Sequence, residues 1–268
     1  MSNYVTAIGL DVHARSISAC AFDPMTGEVS RARFGYDPAS VAEWALGFES
    51  PKAVYESGPT GFHLCRALRA RGVDCAVGAV SKMHRPAADR GRKNDRRDAE
   101  WLARLLACRN VVEVWVPDER TEAARDLSRA LEDARDDLQR ARQRMSKFLL
   151  SHGLVFDETT PTGRRRSNWT EAYWRWARSI EFDEADDAAA YEHYTDAVDR
   201  CGEAKRELER RVVEAASRPE WAPTVDALCL VKGVDVATAF LLAAEAGDFS
   251  RFPSAPSFAA WCGLAPSE

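Results

Sequence analysis

A mixed α/β domain, followed by a long helical middle and a small helical C-terminal unit, is what this sequence predicts. Three observations carry that reading. Short apolar runs bounded by turn residues alternate with helical patterns through residues 1–116. Behind Pro117 a heptad rhythm takes over, on stretches otherwise crowded with Arg, Asp and Glu. From Pro219 the pattern shortens to helix, glycine turn, helix.

Strands are expected near 4–11, 16–23, 28–35, 52–56 and 73–79, with 111–116 as a sixth candidate. The stretch Asp23-Pro24-Met25-Thr26-Gly27 is a turn signal that makes the second and third strands consecutive and antiparallel. Helices are expected near 38–48, 61–71 and 96–108, with Thr60 as N-cap of the middle one after Gly58-Pro59. Three antiparallel strands and then alternating helix and strand describe a mixed sheet with helices on its faces. That order matches the ribonuclease-H-like architecture.

In the middle, Leu127, Leu131, Ala134, Leu138, Ala141, Met145 and Phe148 form an a/d seam over three heptads. Tyr194, Val198, Cys201, Lys205, Leu208, Val212 and Ala215 repeat it, with Lys205 as the polar intruder. The two heptad helices can pair within the chain or across a dimer, and the sequence leaves both open. Between them, Arg164, Arg165 and Arg166 precede Trp169, Tyr173, Trp174 and Trp176. Basic residues beside aromatics can grip a nucleic-acid backbone and stack its bases. However, Trp169, Tyr173, Trp176 and Ile180 fall at the spacing of one buried helix face. That assigns the tryptophans to the core and leaves the three arginines as contact candidates. Leu228 to Ala239 reads as a helix, a turn at Gly233 and a second helix. Such a hairpin can offer backbone N–H groups to a phosphate, and a plain helical hairpin is the alternative.

Chemistry concentrates in four carboxylates. Asp11 closes the apolar run from Tyr4 to Leu10, and Glu56 closes Ala53-Val54-Tyr55. Asp95 and Asp98 lie three apart at the threshold of a helix, on one face. Buried strands usually close without charge, so two strands that each end in an acid suggest a shared site. Four hard oxygen donors suit a pair of Mg2+ or Mn2+ ions, a tool for phosphodiester chemistry. Taken singly, each acid reads as ordinary charge at a strand end or helix start, and only the joint pattern points to metal. His13, two residues past Asp11, is assigned a structural place rather than one in proton transfer.

Composition sets the outer limits. Hydrophobic residues at 46% and charged residues at 29% belong to a globular chain. No apolar stretch approaches the roughly 20 residues of a membrane span, and no signal-peptide pattern opens the sequence. The seven cysteines are scattered without a C-x-x-C pair, which argues for reduced thiols, a cytoplasmic location and no zinc module. A net charge of −5 argues against a nucleic-acid binder. Locally the balance reverses: between Lys82 and Arg104 there are eight Lys or Arg against four acids. Lys93, Arg96 and Arg97 lie in that stretch, around the acid pair, and join the contact candidates.

Gly-Leu-Asp-Val-His at 9–13, Tyr-Glu-Ser-Gly-Pro-Thr-Gly at 55–61, Lys-Asn-Asp-Arg-Arg-Asp-Ala at 93–99 and the closing Gly-Leu-Ala-Pro-Ser-Glu at 263–268 resemble the insertion-sequence-110 family of transposases and the related Piv-type DNA invertases. The resemblance runs essentially end to end. It implies an acidic tetrad, mapped onto Asp11, Glu56, Asp95 and Asp98, in a fold like that of the RuvC-type Holliday-junction resolvases. It also implies magnesium-dependent recombination of DNA strands by homodimers or homotetramers built partly through the coiled coil. A structured non-coding guide RNA would pair with donor and target DNA, so that base pairing sets specificity. The implied layout is a RuvC-like catalytic domain over 1–116, a coiled-coil region over 117–217 and an incomplete C-terminal transposase domain over 218–268.

In the family a catalytic serine follows the closing motif. Ser267 matches the motif serine ahead of it, so the expectation is a transposase truncated before its nucleophile. Three rival readings stand beside this one. An actin-like sugar kinase shares the strand order but needs two further phosphate and adenosine motifs that the sequence lacks. A metal-dependent junction resolvase needs only the tetrad. A non-catalytic nucleic-acid-binding remnant needs only the basic surfaces.

Overall fold

The computed structural model describes residues 5–79 and 95–264, the side chains of residues 95 and 96 excepted. Two compact units emerge, Met1–Pro117 and Asp118–Glu268. In the first, β1 (Thr6–Val12), β2 (Ser16–Phe22), β3 (Val29–Gly35), β4 (Pro51–Glu56), β5 (Asp74–Gly78) and β6 (Glu113–Val114) form one sheet in the order β3-β2-β1-β4-β5-β6. β1 runs antiparallel to β2 and parallel to β4; β3 and β6 close the edges in antiparallel fashion. Parallel neighbours need a crossover, which α1 (Pro38–Leu46) and α2 (His63–Arg69) supply for β4 and β5. A third helix, α3 (Asp95–Ala107), lies before β6. This mixed sheet is compatible with a ribonuclease-H-like fold. The expected strands and helices recur with their ends moved by a residue or two, except that only two residues of 111–116 pair.

The period-two alternation of the strands sorts their side chains onto two faces. Ile8 and Leu10 of β1 and Ala53 and Tyr55 of β4 enter one core, together with Val41 and Ala45 of α1 and Leu64 and Leu68 of α2. Ala7 and Val54 face the other way, into a smaller core closed by Leu102 and Leu106 of α3. Each of those two leucines is almost wholly buried, contributing about 1.5–3 kcal/mol by removal from water. α3 comes very close to β1 at Gly9. A Cβ built there would lie 2.5 Å from Ala103 N and 2.9 Å from Leu102 Cβ, and would collide with Ala99 O.

Thr60 does not cap α2. Residues 58–61 close a turn of their own, with Gly61 N donating to Gly58 O and Gly61 at φ +63°. The helix therefore starts later, behind Phe62, which makes no side-chain cap. The buried Tyr55 hydroxyl does that work instead. It accepts from Cys65 N at 3.3 Å in the first turn and donates to Gly61 O at 2.9 Å.

In the second unit, α4 (Glu119–Ser151) and α6 (Ala185–Ala216) are long helices packed along one another. Asp118 caps α4 by accepting from Thr121 N at 2.7 Å, and Glu119 and Glu122 suit its positive end. The pairing that the sequence left open is made within the chain. Leu131, Leu138, Ala141 and Met145 of α4 are buried, as are Val198, Val212 and Ala215 of α6. Lys205, the polar intruder, turns to Glu209 on its own helix at 2.9 Å.

Helices α7 (Ala222–Cys229) and α8 (Val236–Ala246) share the core of Ala124, Leu131, Val212 and Ala215 through Trp221, Val225 and Phe240. Buried Arg125 ties α8 to α4 by donating to the carbonyls of Ala244 and Glu245 at 2.9 and 2.7 Å. Between the long helices, α5 (Glu171–Ala177) is shorter than the aromatic spacing suggested, because Thr170 caps it by accepting from Tyr173 N. Trp169 thus precedes the helix at φ +67°, and Ile180 follows it. The tryptophans nonetheless pack against a core of Phe156, Tyr173, Tyr191 and Met145. The unit ends in a 3-10 turn, Phe249–Arg251, and α9 (Ala255–Trp261). Among the described residues all seven cysteines are free thiols, and no helix is long and apolar enough to cross a membrane.

Candidate catalytic site

The strand register brings two of the four expected acids together. β1 and β4 pair in parallel up to Leu10↔Tyr55, so Asp11 and Glu56 stand side by side at the next position, about 4.8 Å apart along the backbone. Leu10 and Tyr55 point into the α1/α2 core. By alternation Asp11 and Glu56 point to the α3 face, both half-buried.

The direction of α3 brings its acids to the same end. Glu100 meets Arg31, which is paired with Cys20 opposite Gly9, and the Arg104 guanidinium lies 4.6 Å from the ring of Phe22, which is opposite Ala7. The helix therefore runs antiparallel to β1, its last turns over the start of the strand. Its first turn, with Asp95 and Asp98, lies toward Asp11. Asp98 is half-buried one residue before the Ala99 carbonyl that packs on Gly9. The side chain of Asp95 lies outside the described residues. Among the described residues no group of three or more His, Cys, Asp or Glu is gathered closely enough to hold a metal ion.

Two features steady this end of the sheet. Glu100 accepts from Arg31 at 2.5 Å and from Arg104 Nη2 at 2.8 Å, a clamp from α3 to β3. Those two guanidinium groups hold its carboxyl below the usual range. His13, set aside on sequence grounds, places Nε2 3.1 Å from Asp11 Oδ2. The signal that finds it is parity: two residues apart on one strand end, both side chains share a face. Gly9 is the other residue to read, because a lone glycine in an apolar strand marks a close backbone approach.

The basic candidates are spread. Arg97 is exposed on α3, while Lys93 and the side chain of Arg96 lie outside the described residues. In the second unit Arg164, Arg165 and Arg166 sit on an exposed turn joined by the Thr159↔Arg165 bridge. Arg165 pairs with Asp157 at 2.7 Å and Arg166 with Glu158 at 3.3 Å, so two of the three cations are partly neutralised on the turn itself. Exposed pairs of this kind are weak, about 0–1 kcal/mol, and open readily to another anion.

Comparison with known families decides the relationship. A family model described as "Transposase", named for IS110, matches residues 8–153, and a second, described as "Transposase IS116/IS110/IS902 family", matches residues 225–268. The chain belongs to the IS110 transposase family.

Two curated relatives agree. A protein of Sinorhizobium fredii whose name calls it a transposase is 36% identical over 242 residues, 90% of this chain and 56% of that protein. The transposase for insertion sequence element IS1533 of Leptospira borgpetersenii is 29% identical over 248 residues, 90% of this chain and 70% of its own length. The chain thus spans little more than half the length of the first relative. Within this IS110-family chain, the first match takes in most of the sheet, α3 and all of α4. The second takes in the Gly233 turn and α8. There Asp235 accepts from Thr238 N at 2.8 Å, so a carboxylate occupies the helix end that sequence reading offered to a phosphate. Arg164–Arg166 fall in neither matched segment.

Proposed function

We propose that this chain is the part of a DNA transposase that holds a divalent metal, with Asp11, Glu56, Asp95 and Asp98 as its ligands. One observation carries the reading: strand parity and register place Asp11 and Glu56 side by side on the face toward which α3 brings its first turn. The donor set is all oxygen and anionic, which fits Mg2+ or Mn2+ and not a soft metal. When bound, such an ion, or a pair of them, polarises a phosphodiester and stabilises the charge that develops on it. The chain's own residues do the rest. The β1 and β4 backbones fix the spacing of the two strand-end carboxylates, Gly9 lets α3 close on them, and His13 orients Asp11 through its hydrogen bond.

DNA is the substrate on this reading, with a structured guide RNA choosing the site by base pairing. Support for the guide RNA, and for a homodimer or homotetramer, comes from the family alone. The heptad seam gives no separate support for a partner, because its central residues are buried within the chain.

Titration calorimetry with Mg2+ and Mn2+ tests the metal reading. The wild-type protein binds and gains thermal stability by mass action, and Asp11→Asn and Glu56→Gln lose both effects. Equal binding by wild type and both variants overturns it.

A further inference from the structure

The second unit contains a cleft of about 200 Å3 that the metal site does not use. It is lined by Leu149, Leu150 and Leu154 and by Phe156, Tyr173 and Trp176, together with the exposed Asn168. Phe156, Tyr173 and Trp176 lie at centroid distances of 5.4–5.5 Å from one another, a built aromatic wall rather than a chance hollow. Its mouth is exposed and apolar: Leu150 is 64% and Val155 56% accessible. Apolar surface left open beside aromatic rings gives a flat apolar group something to pack against.

The charge around the cleft says what. Residues 139–179 carry nine Lys or Arg against three acids; Arg140, Arg165 and Arg166 are paired with Asp137, Asp157 and Glu158, which leaves six cations beside one acid, Glu171. Lys147 on α4, Arg164 on the exposed turn and Arg175 on α5 are all exposed. Arg142 lies one helical turn before Ser146 of the cleft, with its guanidinium 5.1 Å from the Trp169 ring and its Nε shut from solvent without a hydrogen-bond partner among the described residues. An uncharged apolar segment would leave these cations without counter-charge. A polyanion with flat, apolar bases gains from both the cations and the rings.

We propose that this cleft receives an unpaired base of single-stranded DNA while the surrounding cations hold its backbone. The base lies against Trp176 and the leucine wall, and the Asn168 amide, which can donate and accept, meets its polar edge. This rests on the reading that the chain acts on DNA, since cutting and joining strands exposes unpaired bases. It adds a base-reading site in the second unit, apart from the carboxylates.

The test uses the whole chain and fluorescence anisotropy with a labelled 20-nucleotide single strand, the corresponding blunt duplex, and RNA of the same sequence. Leu150→Gln and Asn168→Ala are both exposed, uncharged changes that leave folding and electrostatics alone. The expected result is a loss of single-strand affinity of about tenfold with duplex affinity within about twofold of wild type. A 2-aminopurine placed in the single strand loses fluorescence on binding wild type and keeps it with Leu150→Gln. Equal loss on both DNA forms, no loss, or an unchanged 2-aminopurine signal overturns the cleft. Tighter binding of the RNA, with the same sensitivity to both variants, overturns the assignment to DNA. If wild type binds no DNA in low salt, the transposase reading itself fails, a different outcome from intact binding that ignores the cleft.

Discussion

Gly9 is where sheet, helix and candidate site meet, and replacing it with alanine is a sharp perturbation of all three. The new Cβ would stand 2.5 Å from Ala103 N and 2.9 Å from Leu102 Cβ. Carbon contacts settle near 3.5–4.0 Å, so α3 has to retreat by on the order of 1 Å. No side chain can swing aside, because the nearest obstacles are helix backbone. Overpacking of this kind costs roughly 1–3 kcal/mol. For a unit of this size, Tm falls by roughly 3–18 °C. The retreat also draws the first turn of α3 away from Asp11 and Glu56, so Mg2+ affinity falls with stability. The assay is thermal unfolding with and without Mg2+, with Gly35→Ala as control. Gly35 ends β3, and a Cβ there meets nothing within 4 Å. If Gly9→Ala melts with the control and responds equally to Mg2+, α3 does not position the site.

Three further predictions follow from the same geometry. Tyr55→Phe leaves Gly61 O and Cys65 N without the hydroxyl that joins them, costing about 1–3 kcal/mol and raising hydrogen exchange in the loop behind Glu56. Leu131→Asp combined with Leu138→Asp buries two charges between α4 and α6, so circular dichroism should show the 118–268 unit unfolding rather than an assembly coming apart. Arg31 and Arg104 hold the folded Glu100 carboxyl below its ordinary value of 4.5; its stabilisation is therefore full above that pH and lost as pH falls through the lower folded value. Glu100→Gln should flatten the stability profile in that acid range, as read by urea midpoints at successive pH values.

Much of this was legible in the residues. The runs ending in Asp11 and Glu56 gave both strand ends, and their common face follows from period-two alternation once the register is known. Register itself could not be read, since parallel pairing is set across a crossover rather than by a local turn. The Thr60 cap failed because a helix start depends on which donors the surrounding structure already satisfies, and Tyr55 reaches them from a strand. The seam from Leu127 to Phe148 fixed the helix but not its partner, because the same apolar stripe serves either pairing. Asp235 illustrates the limit of motif reading. The Gly233 turn was visible, yet the capping carboxylate that fills the helix end emerged only from its hydrogen bond to Thr238.

The most direct measurement is anomalous diffraction from crystals soaked in Mn2+. A shared carboxylate site predicts a peak in contact with the Asp11 and Glu56 side chains, lost in Asp11→Asn crystals of unchanged fold. A map in which Mn2+ binds elsewhere, with neither carboxylate in contact, would contradict it.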